Sequence, residues 1–481
     1  MVGATVRPRR YSDSVQRLFF RMIAALALAA VILGVSITPA CGRSADRTTQ
    51  PKVVELEFWT IALATFDGYI RGQLAAFEAA HPGVKVRWVD VPYSVLERKL
   101  ISAAAAGRAP DVVNMSDVNY ARFAALGAFV DLNPLVPTDQ TPEERYLPGA
   151  LFLCRLYSAP TPRKPLLALP WYVNPQASII NTALLQTGGL SLETLPRDWR
   201  GVLALASDFR KRTGKFLISQ PLGEESQLPV MLLGEGLVPL KSRDPADPSK
   251  GLEADLTRPE VRDYIALWVE AFRRGDLPRA AATQGHSHLL DLYQEQSIAV
   301  ISTGPNFLKN VRDVSPKVFA ASTVREDVRG VLGRAHMPIM VLSVTSQSKH
   351  PREAAALAWW MTGPQAQLEF CKLVAIMPST AASASDPYFQ PTEADMSGPD
   401  GVLARARKVV ADSLPNAVGF TAALETWPDL RRSFEDAIKR VLVDNADLDE
   451  TLRHLNDEWN RILREAPPAT MEAVPRPERV P

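Results

Sequence analysis

The chain has 481 residues, and its 54 lysines and arginines against 53 aspartates and glutamates leave a formal charge of +1 at pH 7. This balance excludes a global attraction to nucleic acid or to an anionic membrane, and a hydrophobic content of 46% argues against wholesale disorder. Three cysteines are too few for a disulfide framework or a four-thiolate zinc site, so the composition predicts a soluble protein of about two or three domains.

The N-terminal segment has the pattern of an export signal. Residues 1–21 carry five arginines against one aspartate, and the uninterrupted apolar run 22–35 is short for a membrane-spanning helix. Cys41 follows the small residue Ala40, which predicts that its thiol is lipidated and holds the protein at a membrane surface. Because Thr38 stands where the usual motif has leucine, simple cleavage and an uncleaved anchor stay open. All three alternatives place the remaining chain outside the cytoplasm.

The body of the chain begins with alternating strands and helices. Residues 53–60 predict a buried strand, and a helix around Phe77 ends at Pro82-Gly83. A strand from Val84, a helix over 96–106 and a strand over 109–115 follow. This order predicts an α/β unit with a largely parallel sheet.

The same alternation continues to residue 465. Apolar runs predict strands at 216–220, 297–302 and 339–347, two more within 166–185, and a helix over 199–212. The polar, proline-rich interval 241–260 predicts a loop, and 401–465 predicts helices broken at Pro415 and Pro428. The proline-rich tail predicts disorder.

Seven passages in this order resemble a known family, the family-1 extracellular solute-binding proteins of ABC importers, which bind sugars and include maltose-binding protein. The passages are ELEFWT, FEAAHPGVKVRWV, AAAAGRAPDVVNMSDVNYARFAALGAFVDL, LALPWYVNPQASIINTALL, LPRDWRGVLALA, SIAVISTGPNFLKNV and SKHPREAAALAWWMTGPQAQLEF. The resemblance implies an α/β periplasmic-binding-protein fold, with two lobes joined by a hinge around an interlobe ligand cleft.

The resemblance also implies how the chain is divided. It implies a first lobe at 53–165 plus 331–375 and a second lobe at 166–330 plus 376–465. The residue pattern itself predicts the export signal at 1–41, a polar tether at 42–52 and a disordered tail at 466–481.

Catalytic motifs are missing from the sequence. It has no GxSxG elbow, no HExxH pair, no Walker loop and no GxGxxG fingerprint, so we expect neither an enzyme nor a cofactor. His286 and His288 form the only close histidine pair, and two solvated loop residues are favoured over a metal site. Cys154 and Cys371 either pair in an oxidising compartment or serve as small apolar residues in helices.

A sugar cleft needs aromatic faces and convergent polar groups, which selects the candidate ligand-binding residues. Residues at strand ends and at the segments matching the family's binding loops are Trp59, Thr60, Asp117, Asn119, Trp171, Tyr172, Asn174, Glu224 (or its neighbour Glu225), Asn306 and Trp427. Core packing is the alternative for Trp59 and Trp171, and helix capping is the alternative for Asp117 and Asn119. Asn306 follows a Gly-Pro pair where relatives often carry an aromatic residue.

The function implied by the resemblance is capture of a solute by lobe closure. The expected partners are a small-molecule ligand, carbohydrate in class, and the permease subunits of an ABC importer, with a monomeric protein and no nucleic acid. A sensing or scaffold module and an extracytoplasmic glycoside hydrolase stay open as alternatives. A hydrolase would need two carboxyl groups that meet in space, which spacing along the chain does not reveal.

Overall fold

The computed structural model describes residues 53–155, 164–374, 376–398 and 400–475, except for the side chains of Tyr93, Ser94 and Val118. The predicted export signal and tether, with Cys41, lie outside the described residues.

The described strands are β1 (Val54–Ile61), β2 (Val84–Val91), β3 (Val112–Ser116), β4 (Leu169–Val173), β5 (Ala177–Asn181), β6 (Phe216–Ile218), β7 (Leu240–Ser242), β8 (Leu252–Ala254), β9 (Ile298–Thr303), β10 (Ser322–Glu326), β11 (Ala335–His336), β12 (Ile339–Val344), β13 (Met377–Pro378) and β14 (Ala417–Val418).

The described α-helices are α1 (Asp67–Ala80), α2 (Tyr93–Ala105), α3 (Asp117–Ala125), α4 (Pro142–Arg145), α5 (Pro148–Phe152), α6 (Thr182–Thr187), α7 (Trp199–Thr213), α8 (Leu228–Gly234), α9 (Pro259–Arg273), α10 (His286–Gln294), α11 (Phe307–Val314), α12 (Pro316–Ala320), α13 (Pro351–Met361), α14 (Pro364–Leu373), α15 (Ala381–Ala384), α16 (Glu393–Ser397), α17 (Gly401–Ser413), α18 (Trp427–Val443) and α19 (Leu448–Glu465). Short 3-10 helices lie at Ala64–Phe66, Pro248–Lys250, Arg279–Ala282, Pro387–Phe389, Leu414–Asn416 and Met471–Ala473.

Two sheets organise the chain, and we call the structure around each sheet a lobe. The larger sheet, in the first lobe, has the order β13-β4-β12-β3-β1-β2, and the smaller sheet, in the second lobe, has the order β10-β5-β9-β6. β1 pairs in parallel with β2 and β3, as the strand–helix–strand pattern predicts, whereas β12 is antiparallel to both β3 and β4. The mixed α/β architecture is therefore confirmed.

The smaller sheet is covered on both faces, and successive side chains of its strands pack into two different hydrophobic cores. On β5, Ile179 belongs to a hydrophobic core shared with the larger sheet, while the next residue, Ile180, belongs to a second core with α7, α9, α18 and α19. A strand exposes successive side chains on opposite faces, so a continuous apolar run fits a sheet covered on both sides.

The chain crosses between the two sheets at adjacent segments. Between β4 and β5, the Asn174 N–H donates to the Pro338 carbonyl at 3.0 Å, and the Gln176 N–H donates to the His336 carbonyl at 2.9 Å. β11, on the returning crossing, also pairs in parallel with β14. These hydrogen bonds hold the crossing segments side by side, as a hinge requires.

The lobe boundaries that follow from the sheet pairing differ from the predicted ones. β4 lies within the segment 166–330 that was predicted for the second lobe, and β13 lies within the segment 376–465, yet both strands belong to the larger sheet. The crossings therefore follow Val173 and Pro378 rather than residues 165 and 375. Hydrophobic periodicity predicts a strand but not its neighbours, because pairing partners are distant in sequence.

Three local predictions also differ from the structure. The interval 241–260 contains the antiparallel pair β7–β8, and Pro428 lies in the first turn of α18, where its missing N–H removes no helical hydrogen bond. The predicted disordered tail is ordered over 466–475: Ala473 and Val474 are buried, and the Ala473 carbonyl accepts the Ala423 N–H at 2.7 Å.

Cys154 and Cys371 are separate buried thiols, so the disulfide alternative is wrong and the apolar alternative is confirmed. Burial raises the pKa of both thiols, which keeps them protonated and inert. Cys371 lies in α14 as predicted, whereas Cys154 lies in a turn after α5.

Candidate functional site

A cleft of about 660 Å³ is lined by side chains from both lobes and from the crossing segments. Most of its lining residues are polar: Glu97, Ser116, Asp117, Asn119, Arg122, Asn174, Gln176, Glu225, Gln227, His286, Ser287, Thr303, His336, Thr421, Arg431, Arg432 and Glu435. The remaining lining residues are Val230, Gly304, Phe307, Pro338 and Pro428. Its size and its convergent polar groups are those of a small-molecule site.

The first lobe contributes the start of α3 to the cleft. The Ser116 hydroxyl caps this helix by accepting the Asn119 N–H at 3.5 Å. The Asp117 carboxylate is buried and accepts a hydrogen bond from the Thr421 hydroxyl at 3.1 Å. One turn further, Arg122 donates to Glu97 of α2. The cap is thus the Ser116 side chain, and Asp117 and Asn119 line the cleft.

The second lobe contributes the start of α10 and the end of β9. His286 Nε2 lies 2.8 Å from the Thr303 hydroxyl, and its ring packs against Phe307 with centroids 5.6 Å apart. Burial lowers the pKa of His286, while the nearby Glu225 charge acts in the opposite direction. Phe307 and the two cleft histidines, His286 and His336, supply the aromatic rings of the described lining.

A charged network holds the loop that faces α10. Glu435 of α18 accepts hydrogen bonds from the Ser226 N–H and from Arg431 Nε, each at 3.0 Å. Next to Ser226, Glu225 has a left-handed φ of 49° and accepts the His286 N–H at 2.8 Å. This strained residue caps α10, and the network fixes it in place.

The floor of the cleft is formed by the crossing segments. Asn174 Nδ2 donates to Asn306 Oδ1 at 2.9 Å, which links the first crossing to the loop after β9. An added Cβ at Gly304 would lie 2.0 Å from Asn174 Nδ2, so only glycine leaves room for this amide. His336 lies on the returning crossing and also lines the floor.

The structure brings some of the sequence-predicted residues to the cleft. Asp117, Asn119 and Asn174 line it. Asn306 is not among the lining residues but accepts a hydrogen bond from the lining residue Asn174, and the residue after it, Phe307, lines the cleft. Each of these residues follows a strand of one of the two sheets, which is where open α/β sheets place ligand-binding groups.

Trp171 is not in the cleft, so its predicted stacking role is wrong. Its side chain is fully buried in the first lobe, stacked on Phe370 with centroids 5.4 Å apart and planes at 16°. Tyr172 also packs against Phe370, at 5.4 Å, and is not among the cleft residues. Both rings therefore pack in the core between β4 and α14.

Trp59 and Thr60 are also not among the cleft residues. Trp59 is buried, donates through Nε1 to Glu57 and lies under Lys99, whose Nζ is 4.3 Å from the ring centroid. Thr60 is fully buried and donates to Asp90 at 2.8 Å. The core-packing alternative is therefore the correct one for Trp59.

Glu224 and Trp427 lie one residue away from cleft positions. Glu224 is exposed and is not a lining residue, whereas its neighbour Glu225 is. Trp427 is buried against Trp459, with centroids 6.4 Å apart, and the following residue Pro428 lines the cleft. For the glutamates the lining residue is Glu225, the alternative named from the sequence, whereas for Trp427 the sequence predicts the right segment and the wrong side chain.

Sequence reasoning missed the cleft residues that the tertiary structure assembles from helices, loops and a strand far apart in the chain. These are Glu97, Arg122, Gln176, Gln227, His336, Thr421, Arg431, Arg432 and Glu435. Five of them lie on helices whose charged faces are typical of any solvated surface, namely Glu97, Arg122, Arg431, Arg432 and Glu435. Gln176, Gln227, His336 and Thr421 lie outside the helices, and no motif in the sequence marks them.

The close histidines lie on a helix rather than in a solvated loop. His286 and His288 belong to α10, and His288 pairs with Asp291 at 3.8 Å on the outside of the helix. Within the described ranges, no group of three or more potential metal ligands comes together. The pair therefore shows no geometry of a metal site in this part of the chain.

Comparison with known proteins identifies the family. Residues 73–396 match the family described as bacterial extracellular solute-binding protein, which is more than half of the chain. The chain belongs to this family. A search of curated proteins finds no significant match.

Solved structures of solute-binding proteins share the fold. A candidate oligosaccharide periplasmic-binding protein from Synechococcus sp. MITs9220 is 28% identical, with a TM-score of 0.75 over 86% of this chain and 100% of that one. The GacH receptor of Streptomyces glaucescens, solved unliganded and with acarbose, is 18% identical, with a TM-score of 0.66 over 86% and 99%. The sugar-binding protein MalE from Xanthomonas citri is 18% identical, with a TM-score of 0.64 over 86% and 98%. The solute-binding protein thus has the two-lobe fold of periplasmic binding proteins.

A helix must be long and apolar to cross the hydrocarbon core of a bilayer. Over the described ranges, none combines the length and the apolar character needed to cross a membrane.

Proposed function

We propose that this solute-binding protein captures a neutral, hydroxyl-rich solute of the carbohydrate class and delivers it to the permease of an ABC importer. The observation that carries the proposal is the polar cleft, because its lining side chains come from both lobes and from the crossings between them. Carbohydrate hydroxyls are both donors and acceptors, and the lining offers amides, hydroxyls, imidazoles and charged groups that match them.

The charges in the cleft favour a neutral solute. Its lining has three arginines and four carboxylates, so it is slightly negative and offers little to an anion. Arg122 is paired with Glu97, and Arg431 with Glu435. Paired charges satisfy each other in the absence of ligand and still form strong hydrogen bonds to hydroxyl groups.

The carboxylates are already engaged, which supports binding rather than hydrolysis. Glu97 accepts from Arg122, Asp117 from Thr421, Glu225 from the His286 N–H, and Glu435 from the Ser226 N–H. A general acid and a nucleophile would each need a carboxyl group that faces the scissile bond.

Capture by closure follows from the placement of the cleft. A solute that contacts both lobes binds the closed form better than the open form and shifts the population toward closure. The hydrogen-bonded crossings at Asn174–Pro338 and Gln176–His336 provide the hinge for this movement. The closed shape would then be recognised by the permease.

The similar structures support the carbohydrate class. The Synechococcus protein is described as a candidate oligosaccharide binder, and GacH was solved with acarbose. Phe307 offers one aromatic face to the apolar side of a sugar ring, beside the amide of Asn174. The protein would act outside the cytoplasm as a monomer, held at the membrane through a lipid on Cys41.

A thermal-shift screen of the mature protein against neutral mono-, di- and oligosaccharides, with sugar acids and phosphates as controls, tests the proposal. A neutral sugar should raise the melting temperature, since a ligand that binds the folded state stabilises it. Small-angle scattering at saturation should show a smaller radius of gyration. Preferential stabilisation by an anionic solute, or hydrolysis of the bound sugar over hours, would contradict the proposal.

A further inference from the structure

A chain of polar contacts runs from a buried carboxyl group of the second lobe to the cleft. Asp327, which follows β10, is buried, and its Oδ2 lies 2.7 Å from the hydroxyl of Ser302 on β9. The Ser302 hydroxyl also lies 3.5 Å from Oε1 of Gln176. Gln176 belongs to the first crossing and lines the cleft. The contacts therefore join a group inside the second lobe to a side chain that a solute can touch.

The Ser302 hydroxyl has one proton for two neighbouring oxygens, so it donates either to Asp327 or to Gln176. An ionised Asp327 takes this proton. A protonated Asp327 instead donates its own proton to Ser302 Oγ, and the Ser302 hydroxyl then donates to Gln176 Oε1. The other carboxyl oxygen is already occupied, because Ser178 accepts the Val328 N–H at 3.1 Å and donates to Asp327 Oδ1 at 3.0 Å. Both contacts of Ser302 are hydrogen bonds only when Asp327 is protonated on Oδ2.

The surroundings of Asp327 bring its titration close to pH 6. Burial raises its pKa from 3.8 to about 6, although the Ser302 and Ser178 hydroxyls and the Arg329 charge act in the opposite direction. Among the described residues, the charged or titratable groups that line the adjoining small cavity or interact with Asp327 are Arg325, Arg329, Arg334 and His336. The arginines stay charged, and burial lowers the pKa of His336 to about 3. Asp327 is therefore the member of this cluster that changes its charge between pH 5 and pH 8.

The state of Asp327 sets the orientation of the Gln176 carboxamide. When the Ser302 hydroxyl donates to Oε1, it leaves Nε2 for a solute, since Nε2 has no acceptor among the described residues and is not one of their buried unpartnered atoms. When Ser302 donates to an ionised Asp327, its oxygen can only accept, which favours the rotated amide with Oε1 directed outward. Ring and glycosidic oxygens of a sugar accept hydrogen bonds and donate none, so they distinguish the two orientations.

We infer that Asp327 is a positioning residue of the cleft, which acts through Ser302 to direct the Gln176 side-chain N–H toward an acceptor oxygen of the bound sugar. The inference rests on the proposed function and deepens it, because it makes the affinity for a neutral sugar depend on one buried proton. A sugar that uses this N–H binds the protonated form better. Affinity is therefore full at low pH and falls as the pH rises through the titration of Asp327, and binding in this range takes up a proton.

Three substitutions separate the steps of this chain. Asp327→Asn has the shape of the protonated side chain at every pH: its oxygen can accept from Ser178, and its amide N–H can donate to Ser302. Ser302→Ala removes the hydroxyl between the carboxyl group and the cleft, and Gln176→Leu removes the amide itself. Asp208→Asn is the matched control, since Asp208 is an exposed carboxylate of α7 and is not among the cleft residues.

The probes are maltose, maltotriose and trehalose, and the one that most raises the melting temperature of the wild type is titrated by calorimetry from pH 5 to pH 8. We expect the wild type to bind about 3-fold to 10-fold more weakly at pH 8 than at pH 5, which is the effect of one neutral hydrogen bond. Asp327→Asn should bind at pH 8 as tightly as the wild type does at pH 5. Ser302→Ala and Gln176→Leu should bind weakly at both pH values, and Asp208→Asn should keep the wild-type profile.

Calorimetry near pH 6 in buffers of different ionisation enthalpy also measures the proton that is exchanged on binding. The wild type should take up a fraction of a proton for each sugar bound, and Asp327→Asn should take up none. A merely structural role of Asp327 would leave this proton uptake unchanged.

A wild-type affinity that does not change with pH would overturn the inference and leave the proposed function standing. A pH dependence or a proton uptake that persists in Asp327→Asn would also overturn it, because another cleft group such as His286 would then be its source. If Ser302→Ala fails to fold, Gln176→Leu tests the same step at the cleft surface, and wild-type affinity in that variant would overturn the inference. If none of the three probes shifts the wild-type melting temperature while an anionic solute does, the proposed function fails, and the inference falls with it.

Discussion

Trp171 and Phe370 lie stacked in the core of the first lobe, with ring centroids 5.4 Å apart and planes at 16°. Phe58 packs on the same indole at 6.3 Å. This aromatic cluster joins β4 to α14 and β1. The segment around Trp171, which resembles a sugar-binding segment of the family, therefore belongs to the core of the first lobe.

Replacement of Trp171 should therefore reduce stability and leave ligand affinity unchanged. Trp171→Ala removes a large buried side chain, which costs about 3–5 kcal/mol in the free energy of unfolding. Trp171→Phe should cost less, because it retains a ring against Phe370 and removes an indole N–H that has no acceptor among the described residues. Urea unfolding measures both variants. A wild-type free energy of unfolding in Trp171→Ala would show that the indole is not a core residue.

Gly304 is expected to be essential for the cleft floor. In Gly304→Ala the new Cβ would lie 2.0 Å from Asn174 Nδ2, so the amide must move and lose its hydrogen bond to Asn306. We expect a destabilisation of about 1–3 kcal/mol and ligand binding weakened about 10-fold or more. Gly72→Ala is the control: a Cβ there meets nothing within 4 Å, and alanine favours the exposed helix by about 1 kcal/mol. Equal behaviour of the two variants in calorimetry and melting would contradict this account.

Glu435 should matter to binding through the loop that it holds. Glu435→Ala leaves the Ser226 N–H and Arg431 without their shared acceptor, so Glu225 and the start of α10 lose their support. We expect ligand affinity to fall about 10-fold. Asp436→Ala, the adjacent exposed carboxylate outside the cleft, should bind as wild type does. The same loss in both variants would point to a general charge effect instead.

Asp327 should make stability depend on pH. Burial raises its pKa from 3.8 to about 6, although the Ser302 and Ser178 hydroxyls donate to it at 2.7 and 3.0 Å. The folded state holds this proton up to about pH 6 while the unfolded state releases it near 3.8, so the contribution to stability is full at low pH and is lost as the pH rises through this window.

Asp327→Asn removes this dependence. The difference of about 2 pKa units corresponds to a gain of up to about 3 kcal/mol for the variant relative to wild type between pH 4 and 7. Urea unfolding across this range measures it, with the exposed Asp208→Asn as control. A difference that is constant with pH would show that Asp327 is ionised throughout.

The distribution of the protein between the membrane and the soluble fraction should depend on Cys41. If its thiol is lipidated, the wild type partitions with membranes and Cys41→Ser moves it to the soluble extracytoplasmic fraction. Fractionation with N-terminal mass analysis tests this. A soluble wild type whose N-terminus lies elsewhere would contradict lipidation and favour simple cleavage.

The sequence alone determined most of the local structure. The apolar run from Val54 predicts β1, and the Pro82-Gly83 pair ends α1, which stops at Ala80. These features depend on neighbours in the chain, namely side-chain periodicity and backbone dihedral limits, so they can be predicted locally. For the same reason the strand ends led to Asp117, Asn119 and Asn174, which do line the cleft.

Only the tertiary structure decided which face of each segment meets solvent. Trp171 faces Phe370 because α14, about two hundred residues further along the chain, covers that side of β4. Arg431 and Glu435 reach the cleft because the chain crosses between the sheets before α18 begins. Packing partners that are far apart in sequence fix these orientations, and the residues around Trp171 or Arg431 contain no local signal of where those partners will lie.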